Sequence, residues 1–278
     1  MCIVSAEAKL SKTKILSMPL DNGRHLLSYT NKVKNLSGKV NSMILPVPGK
    51  VSREWFHETT GYNNFLGDIE KQAYVEEFRS RGLKSKGISR SLSFDEFKVG
   101  FYNVVTTNSI DALKEHLSER VAEAQRPDIS DELLDFFKEH YDGWSFVVCI
   151  FAGNKEMDAQ PIMFEYEPVE FDILYFPMMD SHTGGAPNLK EHVSVDHTLI
   201  VDFPGLSEER VKKVEFSQDV PEVLKRRKFV STKWKKSMIN GDMYIDLGEL
   251  NSKSKDASDV FSFFMRKSNH PCRIEVQG

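Results

Sequence analysis

Apolar positions in this chain repeat mostly at the two-residue period of a strand. Lys12 to Met18 carries Ile15, Leu16 and Met18, and His25 to Val33 resumes the extended pattern. Between them, Pro19-Leu20-Asp21-Asn22-Gly23 reads as a tight turn, because Asn-Gly supplies the positive φ that a hairpin needs. Asn35 to Gly38 marks the next turn and Val40 to Val47 the next strand. Pro46 and Pro48 then remove two ladder donors and end it. This pattern predicts an antiparallel meander over residues 2–47. The densest β-branched and aromatic content lies between Tyr141 and Phe203. There Trp144 to Phe151 is apolar on both alternating faces, which predicts a central strand covered on both sides. Gln160 to Tyr166, Val169 to Phe176 and His192 to Phe203 are the other strands of this stretch. Glu165, Glu167, Glu170 and Asp172 read as a solvated sheet face.

Helical spacing is confined to shorter stretches. Asp68 to Arg79 reads as a short helix with Ile69, Ala73, Val75 and Phe78 as its apolar positions. Arg79 to Arg90, rich in Gly, Ser and basic residues, reads as a mobile loop. After a strand at Phe97 to Thr106, Asn108 or Ser109 caps a helix with Ile110, Leu113, Leu117 and Val121 in register, ended by Pro127. Ser130 caps a second helix, with Asp131 and Glu132 in its first turn. Beyond Pro204 the pattern weakens: short helices at Glu208 to Lys213, Pro221 to Lys228 and Ser258 to Arg266, and strands at Met243 to Leu247 and Arg273 to Val276. The predicted class is α+β, an antiparallel β-sheet core with a helix pair (109–141) packed on one face and a less regular C-terminal region. Residues 1–203 form the sheet-and-helix domain, and 204–278 an α/β extension packed on it.

Several short stretches occur in a set order. They are Ile44-Leu45-Pro46-Val47-Pro48, Val99-Gly100-Phe101-Tyr102, Tyr141-Asp142-Gly143-Trp144-Ser145-Phe146 and Gln160-Pro161-Ile162-Met163-Phe164. This order resembles an uncharacterised bacterial family known only as a domain of unknown function, over about residues 10–180. The resemblance implies a shared fold and brings no catalytic residues with it.

Composition narrows the function classes. The chain has 278 residues, a charged share of 28% and a net charge of −4, so it is not built as a polycation for nucleic acid. Mean hydropathy is −0.40 and no apolar run reaches the ~20 residues of a membrane span, so no membrane association is predicted. The opening Met1-Cys2-Ile3-Val4-Ser5-Ala6 has no basic stretch followed by a long apolar one, and Cys2, Cys149 and Cys272 are odd in number and far apart. Both facts predict a cytoplasmic protein with reduced thiols.

The candidate chemistry is sparse. Removal of Met1 would expose Cys2 as an N-terminal nucleophile, with Asp21 as a supporting carboxylate. His192, Asp196 and His197 cannot hold one ion on a straight strand, since the first two stand about 13 Å apart at ~3.3 Å per residue and His197 faces the other way. No metal and no cofactor is therefore predicted. The loop containing His182, Gly184 and Gly185 has the glycines of an anion-binding turn, without the Lys-Ser/Thr of a P-loop. The strongest basic cluster is Lys225-Arg226-Arg227-Lys228 followed by Lys233-Trp234-Lys235-Lys236, where lysines could hold phosphates while the tryptophan stacks on a base. The expectation is a non-enzymatic interaction or structural protein acting through its surface on another protein. The alternatives are a hydrolase using Cys2 and nucleic-acid binding through the basic segments.

Overall fold

The computed structural model describes residues 3–75, 94–202, 213–248 and 264–265. The strands are β1 (Ile3–Val4), β2 (Ala8–Pro19), β3 (His25–Asn35), β4 (Asn41–Val47), β5 (Gly49–Lys50), β6 (Phe94–Val99), β7 (Tyr102–Thr107) and β8 (Ser145–Phe151). They continue with β9 (Met157–Asp158), β10 (Ile162–Pro168), β11 (Ile173–Phe176), β12 (His192–Asp202), β13 (Phe229–Ile239), β14 (Met243–Asp246) and β15 (Phe264–Met265). The helices are α1 (Phe65–Gln72), α2 (Leu113–Arg120) and α3 (Asp131–His140). The loop predicted at Arg79 to Arg90 and the strand at Arg273 to Val276 lie outside the described residues, as do most of the helices predicted at Glu208 to Lys213 and Ser258 to Arg266. The described part of the latter, Phe264–Met265, is strand rather than helix because it pairs with β14.

Among the described residues the strands form a five-stranded sheet in the order β1-β4-β8-β7-β6 and a seven-stranded one, β13-β12-β2-β3-β10-β5 with β9 also on β3. A smaller sheet has the order β11-β14-β15. The α+β class holds, with two corrections. The sheet core is mixed rather than antiparallel, because β12 runs parallel to β2. The predicted meander over residues 2–47 is broken, because the chain leaves the larger sheet after β3 and enters the smaller five-stranded one at β4. Both pairings are long-range, and local turn chemistry is silent about them.

Strand parity sorts the side chains into layers. Met43, Leu45 and Val47 of β4 and Val147, Cys149 and Phe151 of β8 join Ile15, Leu27, Tyr29, Phe164 and Leu199 of the other sheet in one apolar cluster between the sheets. Phe146, Val148 and Ile150 point the other way and share a cluster with Leu113 and Leu117 of α2 and Leu133, Phe136 and Phe137 of α3. All seven residues of β8 are buried, and each large side chain contributes about 1.5–3 kcal/mol of burial before its lost entropy is counted. Leu16, Met18, Leu26, Met163 and Ile200, on the outer face of the seven-stranded sheet, are covered by Phe65, Leu66 and Ile69 of α1.

The sequence boundary at residues 203/204 separates β12 from β13, which pair antiparallel from His192↔Ile239 to Asp202↔Phe229. The last part of the chain thus completes the sheets of the first. At the head of α3, the Ser130 hydroxyl accepts from the Leu133 N–H at 3.2 Å and donates to the Gly184 carbonyl at 3.0 Å. Ser130→Ala is expected to cost about 1 kcal/mol in denaturant unfolding, the ordinary worth of an N-cap. A change below 0.3 kcal/mol, a few tenths at most as for a neutral surface site, would show that the cap does not hold the helix.

Candidate functional site: a lysine-lined cleft beyond helix α1

β2, β12 and β13 lie side by side, so their outer face can be read row by row. Leu16, Ile200 and Ser231 form one row, close to α1. Two residues further along the same face the row is Lys14, Thr198 and Lys233. The face turns from apolar to charged where α1 ends. Beyond this, Asp196 stands opposite Lys235 on β13. On β2 the register slips between Ser11 and Lys14, and Lys12 sits in this bulge with φ at 53°. A positive φ is uncommon for a residue with a Cβ, and bulges re-aim side chains.

The result is a cavity of about 190 Å³ lined by Lys12, Thr13, Lys14, Glu70, Asp196, Thr198, Lys233 and Lys235. A second hollow, lined by Glu70, Lys71, Tyr74 and Lys233, shares two of these residues and extends the cleft. Tyr74 is 49% exposed and forms its edge. Glu70 organises the interior: its carboxylate takes Lys233 at 3.3 Å, Lys14 at 3.6 Å and the Thr198 hydroxyl at 3.0 Å. Partial burial alone would raise the Glu70 carboxyl. Lys14, Thr198 and Lys233 outweigh that and hold it below its ordinary value. Lys235 pairs with Asp196 at 3.3 Å.

The structure divides the basic cluster of the sequence. Lys233 and Lys235 enter the cleft, whereas Trp234 and Lys236 stand on the opposite face by strand parity. Trp234 packs against the inter-sheet core with the Lys236 ammonium 4.2 Å from its ring centre. The stacking tryptophan and the cleft lysines therefore do not share a surface. Lys225 pairs with Asp219 at 3.0 Å and Glu222 at 2.7 Å, and Arg227 with Asp202 at 3.2 Å and Asp21 at 3.8 Å. The Lys228 N–H donates to Asp202, and Arg226 holds a left-handed turn with φ at 66°. These four residues close the turn before β13 and lie apart from the cleft.

Cys2 lies outside the described residues. Its neighbour Ile3 pairs with Ile44 on one side and with Ser181 on the other. Asp21, at the tip of the β2–β3 hairpin, faces Arg227. The His182 loop is drawn against β1 and the start of β2: the Val4 N–H donates to the Ser181 carbonyl and the Ala8 N–H to that of His182. The His182 ring pairs with Asp180 at 2.9 Å. Gly184, with φ at 85°, is held so close to Ser5 that a Cβ there would meet its carbonyl oxygen at 2.6 Å. The glycine thus serves close backbone approach, with its carbonyl engaged by Ser130.

Glu165 corrects the reading of a solvated carboxylate face. It is buried, with Oε1 on the His57 ring at 3.1 Å and Oε2 taking Arg24 at 2.8 Å and Asn22 at 3.1 Å. Arg24 in turn lies 4.4 Å from the Trp55 ring centre. Both carboxylate oxygens are consumed in tying the 52–60 segment and the hairpin tip to β10. Sequence reasoning missed Lys12, Lys14, Glu70, Tyr74, Asp196 and Thr198 as one group. The local signal was the polar run Ser11-Lys12-Thr13-Lys14 directly before the buried Ile15 to Met18 of the same strand.

No family model matches the chain, and no curated protein matches it in sequence. Among solved structures it is similar to baculovirus P35, at 16% identity over 88% of this chain and 91% of that one, with a TM-score of 0.47. A mutated baculovirus P35 after caspase cleavage gives 16% identity, 85% and 97% coverage and a TM-score of 0.46. The caspase-8/P35 complex gives 16% identity, 85% and 88% coverage and 0.41. At these scores the likeness assigns neither a family nor a function to this chain.

Proposed function

We propose that this is a non-enzymatic binding protein that engages an acidic segment of another protein through the cleft of Lys12, Lys14, Lys233 and Lys235. One observation supports this above others: four lysines converge on one concave surface against two carboxylates, in a chain whose net charge is negative. A local field opposite to that of the whole steers a complementary partner to one spot. Tyr74 at the edge offers the exposed aromatic that interface centres favour.

The test is binding of a labelled acidic peptide and, as one protein bait, caspase-8. Lys12→Gly with Lys235→Gln is expected to weaken acidic-peptide binding about tenfold, from two charges worth about 0.7 kcal/mol each. Unchanged affinity in a variant that melts normally would remove the cleft from the account.

A second reading, hydrolysis by an N-terminal Cys2, has the His182–Asp180 pair in its favour, since that loop pairs with Ile3. Intact mass spectrometry decides its first requirement. Retention of Met1 eliminates the mechanism.

A further inference from the structure

The inner cavity has more selectivity than a general basic surface. Its four lysines face two carboxylates, Glu70 and Asp196, which leaves a surplus of two positive charges. Lys14 and Lys233 are held by Glu70 and Lys235 by Asp196. Lys12 has no ion-pair partner among the described residues, although the bulge turns it into the same cavity. A left-handed lysine on a strand is kept only where the surroundings over-determine it, and such positions concentrate at ligand sites. At about 190 Å³ the cavity is smaller than the roughly 300–1,000 Å³ of small-molecule sites, so it fits a group of a few heavy atoms.

We propose that this cavity receives a phosphoryl dianion carried on the acidic segment of the protein partner. Lys12 and Lys235 flank the group, and Thr13 and Thr198 stand beside it. The inference rests on the reading of the cleft as a site for an acidic protein segment. A single carboxylate neutralises half of the surplus charge, whereas a dianion neutralises all of it and brings three strong acceptor oxygens. A polynucleotide fits less well. Glu70 and Asp196 would face its neighbouring phosphates, and Trp234, the one tryptophan in the basic segment, lies on the other face.

The experiment uses the full chain and three fluorescent peptides of one acidic sequence, differing at a single position: serine, glutamate or phosphoserine. Inorganic phosphate serves as competitor and oligothymidylate as the nucleic-acid probe. The phosphoserine peptide is expected to bind about tenfold more tightly than the glutamate peptide, the gain of one to two charge-assisted contacts. That preference shrinks as pH falls below the phosphate's second pKa of about 6, and inorganic phosphate displaces the phosphopeptide. Lys12→Gly, which suits the left-handed backbone and so keeps the fold, abolishes the preference. Lys235→Gln reduces it. Equal binding of the glutamate and phosphoserine peptides overturns the dianion site and leaves the acidic-segment reading intact. Failure of every acidic peptide to bind overturns both. Tighter binding of oligothymidylate than of phosphopeptide overturns the proposal in favour of a polynucleotide surface.

Discussion

Replacing Asp242 with alanine is expected to destabilise the fold by about 3–5 kcal/mol, the usual result of removing one partner from a buried charged cluster. Asp242 is buried between β13 and β14, and its carboxylate accepts from the Tyr141 hydroxyl at 2.7 Å and from the backbone N–H groups of Met178 and Met179 at 2.7 and 2.9 Å. Alanine leaves three buried donors without an acceptor, each costing about 1–3 kcal/mol. It also releases the 178–180 segment from the end of α3, where Tyr141 packs on Trp144. Asp242→Asn keeps one acceptor oxygen and is expected to cost about 1–2 kcal/mol. The pH dependence has a defined sign. Burial raises the Asp242 carboxyl above its ordinary value, against the opposing pull of Tyr141 and the two N–H groups. A carboxyl raised in the folded state contributes stability that is full below its unfolded value and is lost as pH rises through the folded one. The penalty of the asparagine variant, measured by urea unfolding, should therefore shrink with rising pH. A loss below 1 kcal/mol for the alanine variant, the net worth of a single ordinary hydrogen bond, would show that this cluster does not anchor the segment.

Acidification should remove about 3 kcal/mol of stability through His25 alone, from a shift of some 2.5 units at 1.36 kcal/mol each. His25, at the start of β3, is fully buried, and its pKa is lowered from 6.5 to about 4. Burial is the main cause, only partly opposed by the Phe171 carbonyl. That carbonyl, 2.8 Å from Nε2, fixes the tautomer with the proton on Nε2, so Nδ1 accepts from the Tyr166 hydroxyl at 3.3 Å. A depressed histidine contributes stability that is complete above 6.5 and lost as pH falls towards 4. Unfolding free energy measured between pH 7 and 4 should fall steeply in the native chain. In His25→Gln the slope should be shallower, and the variant should be less stable at neutral pH. Equal slopes would contradict the assignment.

Much of the fold is legible in the chain where the signal is local. The two apolar faces of Trp144 to Phe151 correspond to β8, paired with β4 and β7 and buried throughout. Ser130 caps α3 as its spacing with Asp131 and Glu132 indicates. Strand β13 is hidden from pattern reading because Lys233 to Ser237 holds three lysines, a tryptophan and a serine, with no apolar–polar alternation. The parallel pairing of β2 with β12 joins residues more than 180 positions apart, which no local period reveals. The cleft depends on that pairing: Lys12 and Lys14 come from one end of the chain, Lys233 and Lys235 from the other, and Glu70 from a helix between them. Glu165 was misread for a related reason. Alternation places it on the outer face of β10, but only the folded chain brings His57 and Arg24 over it.

Lysine footprinting tests the cleft most directly. The native chain is labelled at its amines with and without a saturating acidic peptide, and modification is read residue by residue by mass spectrometry. Protection should concentrate at Lys12, Lys14, Lys233 and Lys235, with Lys9, Lys190 and Lys225 unchanged. Protection centred on Lys225 and Lys228, or none at Lys12 and Lys235 while the peptide is bound, would contradict the account.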